Sequence, residues 1–355
     1  MVSASALSQT PRSAGYMQPA EWAPHRGCYT AWPAHEYAWG AALAAAQKEF
    51  VGFATAFCSE REQEPLSVLV DDDAHEAEAR SALAECGERI VFKRVAYGDV
   101  WLRDTAPIFV RDAKSSRIAA VRFRFNGWGE KYIYPHDAEL SGSLAAHHGG
   151  PVFRADFVLE GGALDVDGLG TCLTTRSCLL NPNREAPSGP EAEPRIGARL
   201  SDMLGIDKLI WVDAGLQNDH TDGHIDNIAR FVAPGVVVCM QAHDADDVNA
   251  QTLDEIAATL SAATDARGQK LRVVRVPSPG RVLGSDGNVV PASYMNFIIG
   301  NRVVVVPGFG TKWDGPAREA LAALFPDRVV RMQSARAILE GGGTFHCMTQ
   351  QVPAP

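Results

Sequence analysis

Residues 225–240 read IDNIARFVAPGVVVCM, and this stretch decides the predicted fold because two β-branched runs flank a Pro-Gly turn. Ile225 to Val232 and Val236 to Met240 are interpreted as strands. Apolar residues then recur at helical spacing from Val248 to Ala263, and a further strand-like run covers Leu271 to Val276. The stretch therefore begins a predicted unit of two strands, a helix and a third strand.

The same unit recurs on both sides of this stretch. Unit five follows it, with strands at Asn296 to Ile299, Arg302 to Val306 and Arg328 to Met332 and a helix at Pro316 to Leu324. Upstream, unit three covers Ala163 to Val166, Thr171 to Leu173, a helix near Arg195 to Leu204, and Lys208 to Val212; unit two covers Pro107 to Val110, Ile118 to Phe125, a helix near Asp137 to His148, and Pro151 to Phe153. Unit one is less regular and covers Gly27 to Trp32, a helix at Ala41 to Phe57, Leu66 to Val70, an extra helix at Ala74 to Cys86, and Ile90 to Val95.

Five such units predict an α/β fold, a five-bladed pseudo-symmetric α/β propeller built of ββαβ units. The alternative is one open, doubly wound sheet, which is the usual outcome of alternating strands and helices. The radial arrangement is favoured by the polar residues at the unit ends, because equivalent positions on blades around one axis converge at one end of that axis. These residues are Arg103 and Asp104 before unit two, Glu160 before unit three, His224 and Asp226 at the start of unit four, and Cys347 after unit five.

Length and composition predict a single catalytic domain over residues 17–355. The chain has 355 residues, of which 46% are hydrophobic and 21% charged, enough to bury a large core. Residues 1–16 are rich in Ser and Ala without a continuous apolar segment, so they are interpreted as a disordered tail and not as a signal peptide. Residues 182–194, rich in Pro, Glu and Gly, are interpreted as a surface loop that could act as a lid.

Charge and cysteine content limit the partners and the compartment. The net charge of −10 disfavours nucleic acid and mildly favours a small cationic ligand. No apolar stretch is long enough to cross a membrane. The seven cysteines are odd in number and form no Cys-x-x-Cys pair, which argues against a disulfide framework or structural zinc and predicts a reducing compartment, by default the cytoplasm.

One cysteine stands out because it follows three consecutive glycines. Residues 339–351 read LEGGGTFHCMTQQ, with the cysteine at position 347. Adjacent glycines suit a place where the backbone approaches a ligand or adopts positive φ. Cys347 is therefore a candidate nucleophile, with a buried structural thiol as the alternative. A second Leu-Glu-Gly-Gly at Leu159 to Gly162 is consistent with internal symmetry.

Two histidines and three aspartates lie within residues 217–227, QNDHTDGHIDN. One interpretation is a metal site, because His220, His224 and Asp226 are ligand types that Zn²⁺ or Mn²⁺ accept. The Asp-Gly turn between the two histidines argues against a helix that would pair them. If a strand begins near His224, then His224 and Asp226 point to the same side and could act together as a base and a substrate-binding carboxylate, while His220 supports the loop.

Residues 97–109 add a Trp, an Arg and an Asp close together. A Trp beside carboxylates suits a flat cation, whose face stacks on the indole and whose edge donates paired hydrogen bonds. The alternative is an exposed loop with a local ion pair. We expect Trp101 to stack on a guanidinium that Asp104 and Asp226 neutralise, so that Cys347 can attack its central carbon.

Six ordered motifs resemble those of the agmatine deiminases, which belong to the guanidino-group-modifying enzymes and are related to bacterial peptidyl-arginine deiminases. The motifs are Pro19-x-Glu21-Trp22 with Trp32-Pro33, Trp101-x-Arg103-Asp104, Phe125-Asn126-x-Trp128-Gly129, Glu160-Gly161-Gly162, Asp222-Gly223-His224-x-Asp226-Asn227, and Gly341-Gly342-Gly343-x-x-His346-Cys347-x-Thr349-Gln350-Gln351. The resemblance implies a five-bladed α/β propeller and hydrolysis of agmatine to N-carbamoylputrescine and ammonia, in putrescine and polyamine biosynthesis, without metal or cofactor.

The resemblance also implies roles for individual residues. Cys347 would be the nucleophile, His224 the general acid and base, and Asp104 and Asp226 the guanidinium ligands. Glu160 would be a further site carboxylate, and Trp101 and Gly342 would contact the substrate. The oligomeric state is left open, with a homodimer as the working expectation.

Departures from the family pattern lie around the expected pocket. Ala106 stands where Gly is frequent, Gly127 where Ala is usual, and Thr344-Phe345 where Asn-Ile is common. They bear on recognition of the substrate tail more than on the chemistry. The alternatives are therefore a deiminase of free or peptidyl arginine, an amidinotransferase, a metal-dependent hydrolase and a binding protein without activity.

Overall fold

Residues 9–355 are described by the computed structural model, in which strands and helices alternate along the chain. The strands are β1 (Tyr16–Met17), β2 (His25–Ala31), β3 (Leu66–Val70), β4 (Ile90–Arg94), β5 (Ile108–Asp112), β6 (Ile118–Arg124), β7 (Val152–Val158), β8 (Asp165–Val166), β9 (Thr171–Thr175), β10 (Lys208–Val212), β11 (Ala229–Ala233), β12 (Val236–Gln241), β13 (Arg272–Pro277), β14 (Ile298–Ile299), β15 (Val303–Gly308), β16 (Val329–Ser334) and β17 (Gln350–Pro353). The α-helices are α1 (Glu36–Trp39), α2 (Leu43–Phe57), α3 (Asp73–Ala82), α4 (Leu102–Thr105), α5 (Gly127–Glu130), α6 (Asp137–His148), α7 (Arg176–Leu179), α8 (Ala192–Leu204), α9 (Ala250–Ala262), α10 (Asp314–Ala322) and α11 (Arg336–Glu340).

The strands form five small mixed sheets, each with the same core of three strands. In units two to five a first strand pairs antiparallel with the central strand, and the strand after the helix pairs parallel with it on the other side. The central strands are apolar because both of their faces are covered; β12, for example, has fully buried valines at its centre. The largest sheet has four strands, so for the described residues the prediction of five units is confirmed and that of one open sheet is wrong.

The sheet of unit one is completed by the far end of the chain. Its order is β17-β2-β3-β4, and β17 pairs antiparallel with β2, with Gln350 opposite Tyr29 and Val352 opposite Gly27. The C-terminal strand therefore takes the place that the first strand of the hairpin takes in the other units. The sequence analysis did not predict this strand, because its partner lies more than 300 residues away and no local pattern marks it.

The N-terminal segment differs from its prediction as a disordered tail. Residues 1–8 lie outside the described residues. After them, Arg12–Ala14 form a short 3₁₀ helix and β1 pairs antiparallel with β5. Tyr16 is 3% exposed and packs into a second, smaller core formed by units two and three. The prediction of disorder is therefore wrong for this part, because one buried aromatic side chain offsets a weakly apolar sequence.

Several predicted boundaries are reproduced without change. β3, β10 and α6 have the predicted limits, and other elements shift by a few residues at their ends.

Among the described residues, no helix combines the length and the apolar character that crossing a membrane requires.

Candidate active site

Cys347 lies in a loop between α11 and β17 and is 4% exposed. Asn296 Nδ2 is 3.0 Å from its Sγ, and Asp226 Oδ2 is 3.6 Å from it. Burial raises the pKa of the Cys347 thiol, and the carboxylates of Asp226 and Asp104 raise it further. The thiol is therefore protonated in the free protein, and a cation bound beside it would favour the thiolate.

Three consecutive glycines, Gly341 to Gly343, lie between α11 and Cys347. Gly342 has φ of 112°, which disfavours any residue with a side chain. A Cβ at Gly343 would lie 2.9 Å from the Cys347 sulfur, and one at Gly341 would lie 2.8 Å from the Trp39 ring. The prediction of positive φ is confirmed at Gly342, whereas approach of this backbone to a ligand stays a prediction.

Asp104 lies on the single turn α4 and is buried. Its Oδ1 accepts the backbone N–H of Gly162 at 2.9 Å, and its Oδ2 accepts the indole N–H of Trp128 at 2.9 Å. Burial raises its pKa, which the nearby His224 partly offsets. Trp128 therefore holds this carboxylate in place; it stood in a recognised motif, but nothing in the local sequence identified its partner.

His224 and Asp226 reach the same site by a different route from the one predicted. Ile225–Asn227 form a 3₁₀ helix, and the strand begins only at Ala229, so the prediction of a strand near His224 is wrong. A Cβ at Gly162 would lie 2.5 Å from His224 Nδ1, 3.0 Å from Asp104 Oδ1 and 3.1 Å from Asp226 Oδ2. The three side chains therefore converge around one glycine that has room for no side chain.

His224 is fully buried, and neither of its ring nitrogens has a hydrogen-bond partner among the described residues. Its Nδ1 lies 3.8 Å from Asp104 Oδ2. Burial lowers its pKa, but Asp104, then Cys178 and then Glu160 raise it, and together they outweigh burial. The ring is therefore suited to carry a proton and to release it to a group bound in the pocket.

Glu160 lies behind His224 and is paired with Arg184. Arg184 Nε donates to Glu160 Oε1 at 2.7 Å, and its Nη1 contacts Asp222. Arg184 is 3% exposed and belongs to the segment predicted as a surface loop, so this end of the segment is an anchor and not an open lid. Sequence reasoning missed Arg184 because Glu160 and Asp222 lie 24 and 38 residues from it along the chain.

One group of possible metal ligands lies at this position. Donor atoms of Glu160, Cys178 and His224 lie within 4.8 Å of one another. His220, which the metal interpretation paired with His224, is not in that group; its Nδ1 lies 3.3 Å from the Tyr132 hydroxyl. The guanidinium of Arg184 on Glu160 already supplies positive charge there, which disfavours a metal cation.

Asp226 is held from the opposite side by a buried chain of charges. His346 Nδ1 lies 2.7 Å from Asp226 Oδ2, and its Nε2 lies 2.8 Å from Glu21 Oε2. Arg230 donates to Glu21 at 2.5 Å and also contacts Asp165. Sequence analysis quoted Glu21 and His346 within motifs without assigning them a role, since the contacts join distant parts of the chain.

A pocket of about 210 Å³ opens onto Cys347. Trp101, Asp104 and Gly342, which were predicted to contact the substrate, line it together with Trp128. Its lining contains no Lys or Arg within residues 9–355. Two basic side chains close to the motif residues are paired with other groups: Arg103 Nη1 donates to Gln351 at 2.7 Å and Lys131 Nζ donates to Asp222 at 2.6 Å.

Together these groups can bind a planar cation and attack it with sulfur. Two buried carboxylates, Asp104 and Asp226, supply negative charge beside the thiol of Cys347. His224 supplies a proton next to both carboxylates. The arrangement is therefore typical of nucleophilic catalysis on a cationic carbon centre.

Comparisons with known proteins find deiminases over nearly the whole chain. Residues 17–353 match the family described as Porphyromonas-type peptidyl-arginine deiminase. An agmatine deiminase of Stutzerimonas stutzeri is 38% identical over 98% of both chains, and one of Pseudomonas aeruginosa is 37% identical with the same coverage. The solved structure of Enterococcus faecalis agmatine deiminase superimposes with a TM-score of 0.90 at 30% identity, over 98% of each chain.

Proposed function

The chain belongs to the Porphyromonas-type peptidyl-arginine deiminase family, and we propose from this membership and the site that it hydrolyses the guanidino group of agmatine. The products are N-carbamoylputrescine and ammonia. The enzyme is a hydrolase of C–N bonds in linear amidines and serves putrescine and polyamine formation in the cytoplasm. The observation that carries the proposal is a buried thiol 3.6 Å from one carboxylate, in a pocket with a second carboxylate and no basic lining residue among those described.

In the first step the substrate cation activates the nucleophile. The guanidinium stacks beside Trp101 and is neutralised by Asp104 and Asp226, which favours release of the Cys347 proton to water. The thiolate adds to the guanidinium carbon and forms a C–S bond. His224 then donates a proton to the departing nitrogen, the C–N bond breaks, and ammonia leaves a covalent S-alkylthiouronium.

In the second step the same histidine acts as a base. Neutral His224 takes a proton from water, and the hydroxide adds to the carbon. As the C–S bond breaks, the proton of the added hydroxyl passes to sulfur, which regenerates the Cys347 thiol. The ureido product is neutral, so it no longer pairs with Asp104 and Asp226 and is released. Glu160, paired with Arg184, supports the charge on His224 during both steps.

Specificity follows from the absence of a basic group that could bind a carboxylate. Free arginine carries an α-carboxylate that agmatine lacks, and no described Lys or Arg lines the pocket to receive it. We expect kcat/KM for agmatine to exceed that for arginine at least about tenfold, which corresponds to about 1.4 kcal/mol. Measuring ammonia and ureido product for both substrates tests this, with Cys347→Ser as the inactive control. Comparable efficiency on free or peptidyl arginine would reject agmatine as the substrate while keeping the chemistry.

A further inference from the structure

Asp99 is a buried carboxylate in the same pocket that the reaction chemistry does not use. It is 4% exposed, and its side chain lines the pocket together with Trp101. No Lys, Arg or His of the described residues forms an ion pair with it. Buried carboxylates without a counterion are rare because desolvation is costly, and burial raises the pKa of Asp99 to about 7. The protein therefore keeps a costly acidic group beside the substrate.

The hydrogen bonds of Asp99 fix its orientation and leave one position open. Its Oδ1 accepts from Trp39 Nε1 at 3.0 Å and from the Val100 backbone at 2.8 Å. Its Oδ2 accepts from Trp101 Nε1 at 2.8 Å. A carboxylate accepts about four hydrogen bonds, so the described residues leave one acceptor position, on Oδ2. Two indoles thus hold the group ready for one further donor.

The indole of Trp101 separates Asp99 from the nucleophile. Its N–H edge faces Asp99, while a Cβ at Gly343 would lie 2.9 Å both from Trp101 Cζ3 and from the Cys347 sulfur. The two groups therefore flank opposite edges of one ring in one pocket. In agmatine six bonds join the guanidinium carbon to the terminal nitrogen, and the extended molecule spans roughly 7 to 8 Å. A substrate lying along the indole would reach both groups.

We propose that Asp99 binds the distal ammonium group of the substrate and is the residue that selects a guanidine with a cationic tail. This inference rests on the proposed function. Glu340 is the other carboxylate of the pocket lining outside the guanidinium end, but it is exposed and already accepts two hydrogen bonds from Ser285. Solvent and salt screen an exposed charge, so Asp99 contributes more to binding the amine.

The test compares agmatine with pentylguanidine, in which a methyl group replaces the ammonium. Wild-type enzyme should have at least about tenfold higher kcat/KM for agmatine, because a charge-assisted hydrogen bond is lost with the analogue. Asp99→Asn should lose about 10- to 100-fold on agmatine and less than about threefold on pentylguanidine. Glu340→Gln is the matched control, with a loss below about threefold on both substrates.

The two substrates also separate a binding role from a structural one. Asp99→Asn removes an acceptor from one indole, and a displaced Trp101 would lower kcat/KM for both guanidines equally. Equal losses, or a wild-type enzyme that does not distinguish the two substrates, would overturn the proposal. The comparison of agmatine with pentylguanidine on the wild-type enzyme needs no variant, so it can overturn the proposal even if Asp99→Asn does not fold. Failure to hydrolyse either guanidine would instead reject the proposed function.

Discussion

At the scale of single residues, Asp226 has two opposite effects on Cys347. In the proposed mechanism its carboxylate helps to bind the substrate cation, yet it lies 3.6 Å from the sulfur and raises the pKa of the thiol. The same charge therefore protects the free thiol from ionising and assists the reaction once the cation is bound. This explains why a buried cysteine beside two carboxylates can still act as a nucleophile.

Replacing this charge should separate the two effects. In Asp226→Asn we expect agmatine turnover to fall by about 100-fold or more, because a charge-assisted contact is lost in the transition state. Alkylation of Cys347 by iodoacetamide at pH 8, without substrate, should become faster, since the pKa of the thiol falls towards its ordinary value. Peptide mass spectrometry measures the rate at Cys347 itself.

Asp213→Asn serves as the control for this experiment, because it removes one charge from a side chain that is 82% exposed. Asp213→Asn should change neither the rate of agmatine turnover nor the rate of Cys347 alkylation. Slower alkylation of Cys347 in Asp226→Asn would contradict the assigned electrostatic effect.

At the scale of elements, the segment around α5 holds one wall of the pocket in a strained conformation. Trp128 and Glu130 have positive φ of 54° and 65°, and Gly129 has φ of 82°. A Cβ at Gly129 would lie 2.4 Å from Asn183, whose backbone accepts a hydrogen bond from Asn126. The strain places the Trp128 indole on Asp104.

Gly129→Ala should therefore lower kcat/KM for agmatine at least about tenfold, because the loop shifts and Asp104 loses its indole donor. Gly149→Ala is a matched control, since Gly149 has φ of 73° but no atom within 4 Å of its Cβ position. Both variants should lose about 1 kcal/mol of stability from the backbone alone. Equal kcat/KM in the two variants would show that the loop does not position the site.

The repeated unit could be predicted from the sequence, whereas the contacts between units could not. Helices such as α6 and strands such as β10 follow from local periodicity, so their limits were found. The partner of β2 was missed because it comes from the other end of the chain. Arg184 was missed for a similar reason, because an arginine in a Pro-rich loop gives no local sign of a buried partner.

The side chains proposed as catalytic were easier to find than the residues that contact them. Cys347, His224, Asp104 and Asp226 lie in dense polar motifs, and the structure brings all four together. Trp128 contacts Asp104, Asn296 contacts the Cys347 sulfur, and Asp99 lines the pocket. Only the three-dimensional arrangement shows which group each of them contacts.

At the scale of the whole molecule, Glu21 joins the N-terminal segment to units four and five. It is 8% exposed and accepts hydrogen bonds from Arg230 at 2.5 Å, His346 at 2.8 Å and the Ile299 backbone at 2.7 Å. Burial alone would raise its pKa, but Arg230 and His346 outweigh burial and lower it. Glu21 therefore stabilises the fold as a carboxylate.

Glu21→Gln should reduce the free energy of unfolding at pH 7 by about 3 to 5 kcal/mol, because Arg230 and His346 lose a buried partner. A lowered pKa means that this stabilisation is complete above the ordinary pKa of 4.5 and is lost as the pH falls through the folded value. Urea unfolding should thus show a deficit that narrows as the pH drops below about 4.5.

Glu62→Gln, at an exposed ion pair with Arg302, is the control and should shift the unfolding midpoint little. If Glu21→Gln were as mild as this control, the buried chain would not hold the units together.

The pairing of β17 with β2 has a consequence for synthesis on the ribosome. β2 ends at Ala31, and the strand that covers its edge ends at Pro353. Translation adds about 5 to 20 residues per second, so the edge of β2 stays unpaired for roughly 15 to 60 seconds before β17 emerges. During that time an unpaired strand is open to other nascent chains or to chaperones. Cys347, the proposed nucleophile, lies just before β17, so it leaves the ribosome only as this edge is covered.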